Sequence, residues 1–223
     1  MSIFRRVRRV LGLETPEEPE KAEKETNSPR PDEITFDEGA YVAELEAERA
    51  AKDAFFRSHP ASPIPPEERQ HFASLEYYPP NPALRFVVRL ERIEPPEPLS
   101  IPTSTGDEEH YERIGHVSFE VEGQPVRLAV YRSVANGSLF IPFRDATSGT
   151  ETYGGGRYLE PIPLGDDKLL LDFNRAYNPY CAYSNEWSCP LPPPENWLKV
   201  PIRAGEKAYR KPAKSPQASQ ETP

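Results

Sequence analysis

The chain has 223 residues, of which 36% are hydrophobic and 28% charged, with 28 prolines and a net charge of −9. These values favour one domain of ordinary size with unfolded extensions. The acidic body lacks the clustered Lys and Arg that neutralise phosphates, which argues against a nucleic-acid partner, and no apolar run of eighteen residues offers a membrane span.

Residues 1–13 form a basic amphipathic segment with apolar residues at helical spacing and four arginines. Such a segment predicts either weak contact with an anionic membrane surface or a frayed terminus whose charges are incidental. It is too short and too often interrupted by arginine for a signal peptide, so a cytoplasmic location is expected. The residues that would make the membrane contact are Phe4, Arg5, Arg6, Arg8 and Arg9.

The next segments predict a linker followed by a helix. Residues 14–33 are rich in Glu, Lys, Pro and Ser, which is typical of a disordered acidic linker. Thr35 and Asp37 both offer capping oxygens for a helix over Tyr41 to Phe56, which ends before Ser58. A single globular β-rich domain is therefore expected over residues 34–208, with a disordered tail over 209–223.

After the helix, the hydrophobic period changes to two. Apolar and polar residues alternate over Arg85 to Ile93, Ile114 to Val121 and Val126 to Tyr131. A turn at Asn136-Gly137 then leads into Leu139 to Phe143. The pattern predicts a mainly β fold, an antiparallel meander of six to eight strands curled into a barrel or sandwich, with the helix packed on it.

Residues 158–174 predict a further hairpin with polar groups on one face. The runs Tyr158 to Leu164 and Lys168 to Asn174 flank a turn-forming Gly-Asp-Asp triplet. Alternation puts Leu170, Asp172 and Asn174 on the same face. These polar groups either meet water at an edge or are buried against partners or a ligand, since an unpaired buried polar group costs about 1–3 kcal/mol.

The chain carries a distinctive series of short motifs. They are Lys52-Asp53, Ser62-Pro63, Leu75-Glu76-Tyr77-Tyr78-Pro79-Pro80, Phe143-Arg144-Asp145, Thr147-Ser148-Gly149, Thr152-Tyr153, Gly156-Arg157-Tyr158, Leu171-Asp172-Phe173-Asn174, Ala176-Tyr177-Asn178-Pro179, Cys181, Cys189-Pro190, Pro193, Glu195-Asn196 and Ala204-Gly205-Glu206. With these motifs the chain resembles the prokaryotic domain of unknown function 1684 family over about residues 40–208. This resemblance implies that the matching residues form one unit, and it implies no established reaction.

The residue types between positions 144 and 196 predict a site for a small polar or anionic ligand. Arginines would bind an anionic group, tyrosines would wall the pocket, and Asp and Asn would orient the ligand by hydrogen bonds. The predicted ligand-binding residues are Arg144, Tyr153, Arg157, Tyr158, Asp172, Asn174, Tyr177 and Asn178. The alternative is structural, with either arginine pairing internally with Asp145 or Asp172.

A second hypothesis is an enzyme of hydrolase or transferase type, with Asp172 or Cys181 as the catalytic candidate. A cysteine nucleophile would need a base such as His71 or His116 brought to it by folding. The spacing of Cys181 and Cys189 does not match a zinc site, so we expect a disulfide or two structural thiols, without metal or cofactor.

The triple glycine at 154–156 has two explanations. Backbone N–H groups of such a loop can hold an anion, but phosphate-binding loops lead into a helix and this one leads into a predicted strand. A turn that needs glycine backbone angles is therefore favoured.

Overall fold

The structure is a computed structural model that describes residues 36–210. The basic segment 1–13 with its membrane contact, the linker 14–33 and the tail from residue 211 onward lie outside the described residues. Between residues 36 and 210, no helix is long and apolar enough to cross a bilayer.

The described residues form two α-helices, eight strands and several short 3-10 turns. The helices are α1 (Glu38–Ser58) and α2 (Pro66–Arg69). The strands are β1 (Arg85–Arg89), β2 (Glu91–Pro102), β3 (Glu108–Val121), β4 (Gln124–Ser133), β5 (Leu139–Phe143), β6 (Arg157–Leu159), β7 (Ile162–Gly165) and β8 (Lys168–Asp172). The 3-10 turns are Pro82–Leu84, Phe173–Arg175, Tyr180–Ala182 and Pro194–Asn196.

Helix α1 begins and ends where local chemistry requires. The Asp37 side chain accepts a hydrogen bond from the Ala40 N–H at 3.0 Å, which caps the first turn. At the other end His59 is extended because it precedes Pro60, which disfavours helical angles in the residue before it. The predicted helix is confirmed. It begins at Glu38, before the predicted start at Tyr41, and ends at Ser58, after Phe56.

The strands are arranged in two antiparallel sheets. One sheet has the order β1-β8-β7 and the other the order β2-β3-β4-β5-β6. Both remain open in the part of the chain that the structure describes, so the fold is sandwich-like rather than a barrel. The mainly β class with an N-terminal helix, predicted from the sequence, is confirmed.

Two predicted strands are each divided between the sheets. The run Arg85 to Ile93 breaks at Leu90, whose N–H donates to the Asp167 carbonyl in the β7–β8 turn at 2.7 Å. The run Tyr158 to Leu164 breaks at Glu160-Pro161, where proline has no N–H to continue the ladder. At each break the chain passes from one sheet to the other. The predicted single meander contains no such crossing.

Strand β4 separates the two halves of the hydrophobic core. Its Leu128 and Val130 pack with β1, β3 and β8 in a cluster between the sheets. Ala129 and Tyr131 point the opposite way, into a second cluster that contains Phe55 and other aromatic residues. Helix α1 therefore covers the outer face of the larger sheet through its C-terminal turns, while its N-terminal turns lie over the end of β8.

Candidate functional site

The polar face predicted for β8 is buried beneath α1. Asp172 is 2% exposed and accepts hydrogen bonds from the Tyr41 hydroxyl at 2.9 Å and from Arg175 Nη1 at 2.6 Å. Asn174 is 1% exposed and binds the backbone of Asn81 in both directions, at 2.7 and 2.8 Å. Both groups are thus paired inside the protein rather than solvated at a sheet edge.

Arg175 extends this network along the helix. Its Nε donates to Glu48 at 2.9 Å, and Nη2 donates to Glu44 at 3.0 Å. The three carboxylates hold the Arg175 guanidinium in its charged form and raise its pKa, although burial works in the opposite direction. Two turns of α1 are therefore attached to the β body by charge-assisted hydrogen bonds.

A second buried pair, Lys52 with Glu206, lies further along the same face of α1. The two side chains are 3% and 1% exposed, and the Lys52 ammonium is in direct contact with Glu206 Oε1. Glu206 Oε2 accepts from the Asn178 N–H at 2.9 Å and the Tyr183 hydroxyl at 2.7 Å. The carboxylate is thereby satisfied on both oxygens without access to water.

A small polar cavity lies between these two ion-pair networks. Its volume is about 10 Å³, which is room for one water-sized occupant. The residues that line it are Leu45, Glu48, Arg49, Lys52, Tyr77, Asn174, Arg175, Ala176 and Glu206.

Arg49 and Tyr77 carry donors that the rest of the described structure leaves without acceptors. Arg49 Nη1 donates to the Tyr78 carbonyl at 3.1 Å, but its Nε and Nη2 and the Tyr77 hydroxyl are buried with no hydrogen-bond partner among residues 36–210. Burial lowers the pKa of Arg49 and raises that of Tyr77 well above its ordinary value. The charged guanidinium is thus incompletely compensated.

Sequence reasoning missed Lys52, Arg49 and Glu206 as members of a site, although one signal was available. The buried face of α1 repeats at Tyr41, Leu45, Glu48, Lys52 and Phe55, so charged residues occupy two positions of an otherwise apolar stripe. A charge at such a position requires a buried partner, and only the fold reveals that the partners are Arg175 and Glu206.

Arg157 belongs to the scaffold. It is 1% exposed, and its Nη2 donates to Asp145 at 2.7 Å, which is the internal pairing that the sequence left open. The same guanidinium donates to the carbonyls of Ile202, Ala204 and Glu206 at 2.7, 2.5 and 3.1 Å. Arg157 therefore holds the C-terminal segment against β6.

The remaining predicted ligand residues do not converge on one point. Tyr158 donates to the Pro190 carbonyl and Tyr177 to Glu160, each at 2.6 Å. Arg144 stacks on the exposed ring of Trp197, 4.8 Å from its centroid. The structure brings Asp172, Asn174, Tyr177 and Asn178 to the side beneath α1 and places Arg144 and Tyr153 elsewhere.

Tyr153 lies with the two cysteines, which are both free thiols. Its hydroxyl is 3.7 Å from Cys181 Sγ, and the Cys181 N–H donates to Cys189 Sγ at 3.3 Å. Interactions with the Cys189 thiol and with the Tyr153 hydroxyl lower the pKa of Cys181 to about 6, against the effect of burial. The donors to this sulfur are therefore hydroxyl and thiol groups, in place of the histidine that the sequence suggested.

No group of three or more His, Cys, Asp and Glu side chains within residues 36–210 is arranged to hold a metal ion.

Comparison with known proteins supports the sequence resemblance. No curated protein matches the chain. The solution NMR structure of an uncharacterised protein from Haloarcula marismortui is 42% identical, over 76% of this chain and 95% of that one, with a TM-score of 0.60. The family model described as Protein of unknown function (DUF1684) matches residues 70–207. The chain therefore belongs to the DUF1684 family.

Proposed function

We propose that the domain binds a small anion in the cavity beneath α1. One observation carries the proposal: the buried Arg49 Nε, Arg49 Nη2 and Tyr77 hydroxyl line a cavity and have no acceptor among the described residues. A buried donor without a partner costs about 1–3 kcal/mol, more when it is charged. An anion placed between these donors would remove that cost and neutralise the guanidinium.

The charges around the cavity agree with an anionic occupant. Glu48 and Glu206 also line it, but each is paired with a cation, Arg175 and Lys52 respectively. Arg49 is the lining cation for which no ion pair is formed within residues 36–210, so the lining as a whole carries one net positive charge. The volume of about 10 Å³ limits the occupant to one small particle, and a halide such as bromide would enter with a small outward shift of the lining side chains.

The alternative occupant of the cavity is a single water molecule. Anion binding would make the melting temperature depend on which salt is present, and a bound water would not. We would measure thermal unfolding in sodium bromide and in sodium gluconate at one ionic strength. Binding at ten times the dissociation constant stabilises by about 1.4 kcal/mol, so the melting temperature should be higher in bromide by about 3–5 °C, in a saturable manner.

Two substitutions identify the site, and a third controls for surface effects. Arg49→Met removes the charge and should abolish the bromide effect, while Tyr77→Phe deletes one donor and should weaken it. Arg127→Met changes an exposed arginine on β4 and should leave the effect intact. Equal melting temperatures in the two salts, or the same bromide effect in all variants, would show that the cavity holds water.

A further inference from the structure

The two cysteines of the chain lie together although seven residues separate them in sequence. Cys181 lies in the 3-10 turn Tyr180–Ala182, where it is half-buried, and Cys189 is buried in the proline-rich segment that follows. The Cys181 N–H donates to Cys189 Sγ at 3.3 Å, so the Cys189 sulfur lies directly against the backbone of Cys181.

The segment that carries Cys189 is fixed to the turn between β2 and β3. The Cys189 N–H donates to Ser104 Oγ at 3.2 Å, and its carbonyl accepts from the Ser104 N–H at 2.9 Å. The Ser188 hydroxyl adds a bond to Thr103 Oγ1 at 2.7 Å. Cys189 is therefore held in place, while Cys181 lies on a short turn whose residues are partly exposed.

The two thiols differ in exposure and in pKa. Disulfide formation by peroxide needs one thiol that attacks as a thiolate and a second that attacks the product of the first step. Cys181 receives hydrogen bonds at its sulfur and is accessible, which are the properties of an attacking thiolate. Burial and the neighbouring Cys181 sulfur raise the pKa of Cys189 and keep it a protonated thiol that donates. Cys189 is thus placed to resolve an intermediate formed on Cys181.

We propose that Cys181 and Cys189 form a redox-active dithiol that a hydroperoxide converts to an intramolecular disulfide. The Cys181 thiolate attacks the terminal oxygen of ROOH; an S–O bond forms as the O–O bond breaks, and RO⁻ takes up a proton and leaves as ROH. Cys189 Sγ then attacks Cys181 Sγ, the S–S bond forms, and the S–O bond breaks. The hydroxyl leaves as water with the Cys189 proton, so the peroxide gains the two electrons that the thiols lose.

The test treats the full-length protein with one equivalent of hydrogen peroxide, blocks remaining thiols with iodoacetamide and measures intact mass and linked peptides. The native chain should become lighter by two hydrogens and yield a Cys181–Cys189 peptide. Alkylation of both thiols after peroxide treatment, or a disulfide between two chains, would overturn the proposal.

Single serine variants assign the two roles. Cys189→Ser should stop at the sulfenic acid, which gains one oxygen and reacts with dimedone. Cys181→Ser should consume peroxide at least ten times more slowly than the native chain. Circular dichroism confirms that each variant is folded, and a Cys181→Ser variant that reacts as fast as the native chain would contradict the assignment.

Discussion

Cys181 shows how hydrogen bonds alone can set the reactivity of one residue. The groups that lower its pKa are the Cys189 thiol and the Tyr153 hydroxyl, which lies 3.7 Å from Cys181 Sγ. The tyrosines around the two sulfurs, Tyr111, Tyr153 and Tyr158, all have pKa values raised above the ordinary value. They remain neutral donors or packing groups across the physiological range, so the thiolate is stabilised without a compensating positive charge.

The alkylation rate of Cys181 should follow this lowered pKa. Since the thiolate is the nucleophile, a pKa of about 6 predicts a rate that rises between pH 5 and 7 and is level above pH 7. An ordinary thiol would continue to gain rate up to about pH 9. The measurement is the iodoacetamide rate at Cys181 by peptide mass spectrometry.

Two variants separate the causes of the shift in the Cys181 pKa. Cys189→Ala and Tyr153→Phe each remove one donor, so each should move the midpoint of the rate profile upward, with the larger change for Cys189→Ala. Ser118→Ala removes an exposed hydroxyl on β3 that bonds to Glu91, and it serves as the control. A native midpoint near pH 8.5 would refute this account.

At the scale of elements, the loop that leads into β6 has one glycine that its backbone requires. Gly156 has a φ of +93°, and a Cβ there would lie 2.6 Å from the Phe143 carbonyl oxygen and 2.7 Å from Pro192 Cγ. A Cβ at Gly155 would lie 2.5 Å from Tyr153 Cε1, so that position needs space beside a side chain. Gly154 has an ordinary φ and room for a Cβ, whose nearest neighbour would be 3.6 Å away. The turn explanation of the triple glycine therefore applies to Gly156.

Gly156→Ala should lower the free energy of unfolding by about 2–4 kcal/mol, since it combines a left-handed backbone with a contact against backbone atoms. Gly154→Ala is the matched control and should change the free energy by less than about 1 kcal/mol. Urea denaturation followed by tryptophan fluorescence measures both values. Equal losses at the two positions would show that the loop as a whole, and not the Gly156 conformation, limits stability.

Elements defined by local signals could be predicted, and those defined by distant partners could not. The cap at Asp37, the turn at Asn136-Gly137 and the alternation over Val117 to Val121 in β3 all act within a few residues, and each was found in place. The break at Leu90 depends instead on a hydrogen bond to Asp167, far along the chain. The sequence contains no local mark of such a contact.

The same limit applies to the candidate site. Asp172 and Asn174 could be recognised as polar residues on a strand, but their partners Tyr41 and Asn81 are supplied by other elements. The cavity was not predicted, because it is identified by buried donors of Arg49 and Tyr77 that lack acceptors. The sequence does not show which acceptors the fold places near a given donor.

For the whole molecule, the attachment of α1 to the β body is the central energetic question. The family model begins at residue 70, yet α1, which precedes it, supplies the partners of Asp172, Arg175 and Glu206. Without the helix Glu206 would lose its cation, and Asp172 and Arg175 would keep only each other. A buried charge without a partner is strongly destabilising. The helix and the body are therefore expected to fold as one cooperative unit.

A double-mutant cycle on Lys52 and Glu206 tests that coupling. Lys52→Met leaves the Glu206 carboxylate buried without its cation and should lower the free energy of unfolding by about 3–5 kcal/mol. Glu206→Gln leaves the Lys52 ammonium buried without its anion and should lower it by a similar amount. The double variant restores neutrality and should lose at least about 2 kcal/mol less than the sum of the single losses. Glu46→Gln, exposed on the same helix, should stay within about 0.5 kcal/mol of the native chain. If the two single losses simply add, the pair does not couple the helix to the body.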